Sequence, residues 1–170
     1  MEPELLEVTE DHAFIVYGPI ACVIWRGAIT RDAVERTEAL GMRALQESPR
    51  GAGLLFFAEG SAPSQELREL TADINERLAA RGAVGVAGVF LARGFLAAVQ
   101  RGIATGLAML SAHSYPFRVF SNTRQACDWL GGELRHRGVT INGAEVSARL
   151  RDLRDQFVTH GSLPNMLPAT

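Results

Sequence analysis

Apolar and polar positions fall along the chain in blocks whose period switches between strand-like and helix-like. Residues 13–17 and 20–26 are two short apolar runs rich in β-branched and aromatic residues, separated by Gly18 and Pro19. They predict a strand pair joined by a tight turn. Alternation fades through Cys22, Val23, Ile24 and Trp25, as it does in a strand covered on both faces. Thr30 then supplies a helix cap with Asp32 in the first turn. Ala33, Thr37, Leu40, Ala44 and Leu45 follow on one face, with Arg31, Glu35, Glu38 and Arg43 on the other. A strand over 53–58 runs into a polar turn, Glu59 to Ser64, and a helix over 64–80 striped by Leu67, Leu70, Ile74 and Leu78. Gly82 ends that helix.

The pattern continues with a buried strand over 84–91 and a helix over 95–110 that is apolar nearly all round. A last strand spans 115–120, and Thr123 caps a short helix ending near Leu130. Alternation of strands and helices with crossovers of this length predicts an α/β fold with a mostly parallel sheet. Beyond Leu134 the character changes. Asn142 caps a helix over 144–157 with the stripe Val146, Leu150, Leu153 and Phe157, and the residues after it, with Pro164 and Pro168, read as a mobile tail. The organisation expected is one α/β domain over residues 10–134, with a C-terminal amphipathic helix and tail over 135–170.

Composition narrows the function classes. The 170 residues carry 47% hydrophobic and 21% charged side chains, an ordinary soluble balance for one well-buried core. A net charge of -2 argues against an electrostatic nucleic-acid binder. All 17 of the Lys and Arg positions are Arg, a side chain suited to bidentate anion contacts. Arg93 and Arg101 interrupt the most apolar stretch, which excludes a transmembrane span there. The acidic N-terminus does not resemble a signal peptide. Cys22 and Cys127 lack metal-ligand spacing and read as buried free thiols of a reducing, cytoplasmic compartment.

Candidate chemistry is sparse. His12, His113, His136 and His160 lie far apart near predicted loops or element ends and read as surface histidines, with no metal-ligand spacing. Gly85, Val86, Ala87 and Gly88 fall inside a predicted strand, not after one, and so fail the structural test of a nucleotide fingerprint. No cofactor and no catalytic set is expected. The helix over 95–110 carries Ala98, Gly102 and Gly106 at a spacing of four. Such a ridge of small residues permits close packing, either on the sheet or on a second copy across a two-fold axis. The C-terminal helix must likewise bury its stripe, on its own sheet or on another chain.

Ile24, Trp25, Arg26 and Gly27, the strand over 54–58, and Phe117 to Phe120 leading to Ala126, Cys127, Asp128, Trp129 and Leu130 carry a resemblance. Over residues 14–130 the chain resembles the STAS-like proteins, among them the bacterial SpoIIAA-like (STAS/SEC14-related) group. That resemblance implies a mixed, mostly parallel sheet. It also implies a non-enzymatic regulatory or protein-interaction role in the bacterial cytoplasm, or binding of a lipid or nucleotide. It places a phosphorylated serine in the turn after the third strand. Ser61 is the nearest match, although the Asp and the paired Ser-Gly of that motif are absent here. On the residues themselves, Ser61 or Ser64 caps the following helix. The interaction surface expected is therefore Glu59, Gly60, Ser61 and Ser64, with Ala98, Gly102 and Gly106 competing for that role.

Overall fold

The computed structural model describes residues 2–59, 63–90 and 115–160. Gly60 and Ser61, the small-residue positions Ala98, Gly102 and Gly106, and the residues after His160 lie outside the described residues. The elements are β1 (Glu4–Val8), β2 (His12–Tyr17), β3 (Ile20–Trp25), α1 (Arg31–Glu47), β4 (Ala52–Ala58), α2 (Gln65–Ala80), β5 (Ala83–Val89), β6 (Phe117–Phe120), α3 (Thr123–Arg135) and α4 (Gly143–His160). The six strands form one sheet in the order β1-β2-β3-β4-β5-β6. β1, β2 and β3 pair antiparallel, and β3 through β6 pair parallel. The protein is thus α/β, with a mixed, mostly parallel sheet and four helices packed on it among the described residues.

Local chemistry accounts for the boundaries. Tyr17 pairs with Ile20 across a two-residue turn, where Gly18 takes a φ of 55° and Pro19 brings a ring-fixed negative φ. Gly82, at φ 116°, lets the chain leave α2 and enter β5 directly. Thr30 and Ser64 cap α1 and α2 as the pattern predicts. Several boundaries differ from the sequence reading, and α3 runs on to Arg135 where the pattern ended it near Leu130. Asn122, not Thr123, caps α3, its side chain accepting from the Gln125 amide, while Thr123 is buried in the first turn. The N-terminal residues also add the edge strand β1, whose acidic composition hides its pairing with β2.

Strand alternation separates two cores. One face presents Ile15, Ile20, Cys22, Ile24, Leu55, Phe57, Ala87 and Val89 to Leu130 and Leu134 of α3 and to Leu150, Leu153 and Phe157 of α4. The other presents Phe14, Val16, Val23 and Trp25 to Ala33, Val34, Leu40 and Leu45 of α1 and to Ile74 and Leu78 of α2. The apolar stripe of the C-terminal helix is therefore buried within its own chain. β2, β3 and β5 are buried along their whole length, which explains why their sequences do not alternate cleanly.

Gly85 stands where this packing brings backbone close. A Cβ there would meet the Trp129 ring at 2.9 Å and the Pro116 carbonyl at 3.0 Å, whereas one at Gly132 in α3 meets nothing within 4 Å. Gly85→Ala should therefore cost about 1–3 kcal/mol through overpacking against backbone. Gly132→Ala should gain about 0.4–1 kcal/mol by restricting the unfolded chain. Urea unfolding of the two variants checks both signs.

Candidate functional site

The parallel strands all finish at one edge of the sheet, and the turn between β1 and β2 lies at the same edge. α1 and α2 open there as well. Thr30 Oγ1 accepts from the Ala33 amide and Ser64 Oγ from the Leu67 amide, each at 3.3 Å. Asp11 organises the entry to α1. Its carbonyl accepts from the amides of Arg26 and Gly27 at 2.7 and 3.0 Å, and its Oδ1 accepts from the Ala28 amide at 2.9 Å. Any side chain at position 27 would collide with that carboxylate. The glycine is therefore required by close approach.

Glu59, the first residue beyond β4, is held from two sides. Its amide donates to the Trp25 carbonyl at 2.9 Å. Its carboxylate accepts from Arg154 of α4, at 2.7 Å from Nε and 2.6 Å from Nη2, with the two side chains 14% and 17% exposed. Arg154 also donates to Asp155 at 2.6 Å. Burial alone would lower the guanidinium's affinity for its proton, but Glu59 and then Asp155 outweigh it and the net shift is upward. Of the expected surface residues, Glu59 is thus engaged by the C-terminal helix and Ser64 is an exposed cap. The sequence pattern sets Arg154 among the polar residues of α4 that oppose the stripe of Val146, Leu150, Leu153 and Phe157, and nothing local marks its partner, 95 positions away.

A second polar group at this edge corrects the sequence reading of His12 as a surface histidine. His12 is 4% exposed, between the rings of Phe14 and Trp25 at 4.6 and 5.5 Å. Its Nδ1 lies 3.1 Å from Thr9 Oγ1 and its Nε2 lies 2.8 Å from Glu7 Oε1. Arg36 of α1 clasps the same carboxylate with two bonds of 3.0 Å. Both ring nitrogens are satisfied, which is what makes burial of the imidazole affordable. Burial alone would raise the Glu7 pKa, but the hydrogen bonds from His12 and Arg36 together hold it below its ordinary value.

The remaining candidates are inert or shallow. Cys22 and Cys127 are buried and unpaired. Burial, then the neighbouring Cys127, pushes the Cys22 thiol well up, and burial, then Asp128, pushes Cys127 up to about 12. Neither is a nucleophile at neutral pH. Among the described residues no three His, Cys, Asp or Glu side chains converge as a metal site, and no helix is long and apolar enough to cross a membrane. At the opposite edge an open pocket of about 270 Å³ is bordered by Tyr17, Glu47, Ile141, Asn142 and Glu145. There Tyr17 donates its hydroxyl to Glu145 at 3.1 Å. No protein-family model, curated protein or solved structure matches the chain.

Arg154→Met should destabilise the protein by about 3 kcal/mol, because it leaves the Glu59 carboxylate buried and unpaired. Adding Glu59→Gln should restore part of that loss in a double-mutant cycle read by urea unfolding. A single-variant cost below about 1 kcal/mol would instead rank the pair with ordinary surface bridges. Acid titration checks Glu7. Because its folded pKa lies below the ordinary 4.5, the unfolded chain takes up the proton first. The Glu7 contribution is complete above that value and is lost as the pH falls through the lower folded pKa. Glu7→Gln should flatten this part of the acid limb.

Proposed function

We propose that the chain is a non-enzymatic, STAS-like regulatory module of the bacterial cytoplasm that acts by binding a protein, a second copy of itself included. The antiparallel β2–β3 pair feeding parallel strands taken in sequence is in keeping with that reading. The observation that carries the reading is the way the edge around Glu59 and Ser64 is presented. The Arg154 bond anchors the chain as it leaves β4, and the Ser64 cap anchors it as it enters α2. Beyond the cap, Gln65, Glu66, Arg68 and Glu69 all face solvent. A charged helix start held on a rigid base suits recognition by electrostatic complementarity. Phosphorylation of Ser61, three positions before Ser64 in the sequence, belongs to the same proposal.

A small lipid or nucleotide ligand is the second reading, favoured by the pocket beside Tyr17 and Glu145. At about 270 Å³ it falls just short of the roughly 300–1,000 Å³ usual for such sites, which leaves it behind the first.

Purification of the protein from its native host, with mass spectrometry of bound proteins and small molecules, separates the two. A stoichiometric protein partner should accompany the wild type and be lost when Arg68→Glu and Glu69→Arg are combined, a swap that keeps the net charge. Glu145→Gln at the opposite edge should leave it bound. A partner that survives the charge swap would sink the first reading. A small molecule lost with Glu145→Gln would establish the second.

A further inference from the structure

We propose that His12 is a proton-operated latch: its neutral ring closes the β1–β2 turn onto the entry to α1, and its protonation opens that turn. The turn spans residues 9–11, and Thr9 Oγ1 is its hub. That oxygen accepts from the amides of Asp11 at 3.2 Å and His12 at 3.1 Å. A hydroxyl oxygen has two lone pairs, and both are taken. Its own O–H is left to give, and His12 Nδ1 stands 3.1 Å away to receive it. The ring proton therefore belongs on Nε2, 2.8 Å from Glu7 Oε1.

Every other state of the ring meets a conflict. A proton on Nδ1 points at Oγ1, which would then face three donors with two lone pairs. In the neutral ring that placement also sets a bare Nε2 against the Glu7 carboxylate. In the doubly protonated ring Nε2 keeps its bond, but the new charge is poorly matched. The charged groups at the ring are Glu7 from β1 and Arg36 from α1, and Arg36 already holds that carboxylate with two bonds of 3.0 Å. Asp11, in the turn, commits its Oδ1 to the Ala28 amide. β2 and β3 contribute the uncharged rings of Phe14 and Trp25. With His12 only 4% exposed, little water reaches the charge.

The conflict is relieved at the turn. The Thr9 hydroxyl can swing to the His12 carbonyl, at 3.3 Å, and Oγ1 must then let go of one of its two amides. The Asp11 amide lies outside β2 and is the freer to leave. Asp11 is also the residue that ties the turn across to β3: its carbonyl accepts from the Arg26 and Gly27 amides, and its Oδ1 from the Ala28 amide. A proton on the ring thus loosens the segment that leads into α1, whatever binds at that edge.

Nuclear magnetic resonance of the full-length chain tests both halves. Above the ring's titration, a long-range proton–nitrogen spectrum should show the His12 ring protonated on Nε2 and bare on Nδ1, its signals identified by their absence from His12→Gln. As acid titrates the ring, followed at its Cε1–H, amide-exchange protection at Asp11 and Ala28 should fall by roughly tenfold or more. Protection is taken relative to an unstructured chain at the same pH, and that of Ile24, inside β3, should hold. Thr9→Ser should respond as wild type does, whereas Thr9→Ala should leave the turn amides unprotected at every pH. A proton on Nδ1 in the neutral ring would overturn the proposal. So would turn amides that stay protected through the ring's titration, or that follow a carboxylate instead. A ring that stays neutral until the whole fold opens, with Ile24 exchanging alongside Asp11, would overturn it too.

Discussion

A sheet whose strands are apolar on both sides must be covered on both sides, and the order of these strands dictates how. Strands β3 to β6 follow one another in sequence and in space. Right-handed crossovers between parallel neighbours taken in one direction put their helices on one face. α1 and α2 obey this and cover Phe14, Val23 and Trp25. The opposite face, with Ile20, Ile24, Leu55 and Phe57, is packed by neither α1 nor α2. Its cover comes from α3 and α4, after the last strand. The C-terminal helix, which its sequence allowed to be an appendage, is therefore half the lid of one core.

Charge pairs fasten what burial alone leaves loose. α4 is bound at the sheet edge by the Arg154–Glu59 bridge, shielded enough that removing one partner strands the other. β1 is an edge strand with Leu6 and Val8 38% and 37% exposed. It is tied down by Glu4 to Arg43 and Glu7 to Arg36, both arginines on α1. The same Glu7 satisfies the buried His12, so the edge strand and the polar group at the β1–β2 turn are one structure.

Periodicity made most of the architecture legible. The stripe Val146, Leu150, Leu153 and Phe157 is buried as its spacing demands, and Thr30 and Ser64 cap the helices they precede. What stayed hidden depends on distance along the chain. Glu-Leu-Leu-Glu-Val does not read as a strand until its glutamates find arginines 29 and 39 positions away. His12 looks like a loop residue until Glu7, Thr9 and two aromatic rings close around it. Arg154 reads as one more solvent-facing charge because its partner sits at the end of a strand in another part of the sequence. Local pattern records what a residue shares with its neighbours; Glu4, Glu7 and Arg154 take their roles from segments met only after folding, and His12 from the turn that folds Thr9 and Glu7 back onto it.

The position of α4 in the chain also bears on how the protein is made. Synthesis delivers the last strand by Phe120, but α4 begins only at Gly143. During that interval the sheet can form with one face half bare, presenting Ile15, Tyr17 and Ile24 to solvent or to other nascent chains. Domains of this kind complete their cores late, and exposed intermediates aggregate or recruit chaperones. Loss of the final helix would leave a nearly full-length product resembling that intermediate, apt to self-associate and to be cleared by proteolysis.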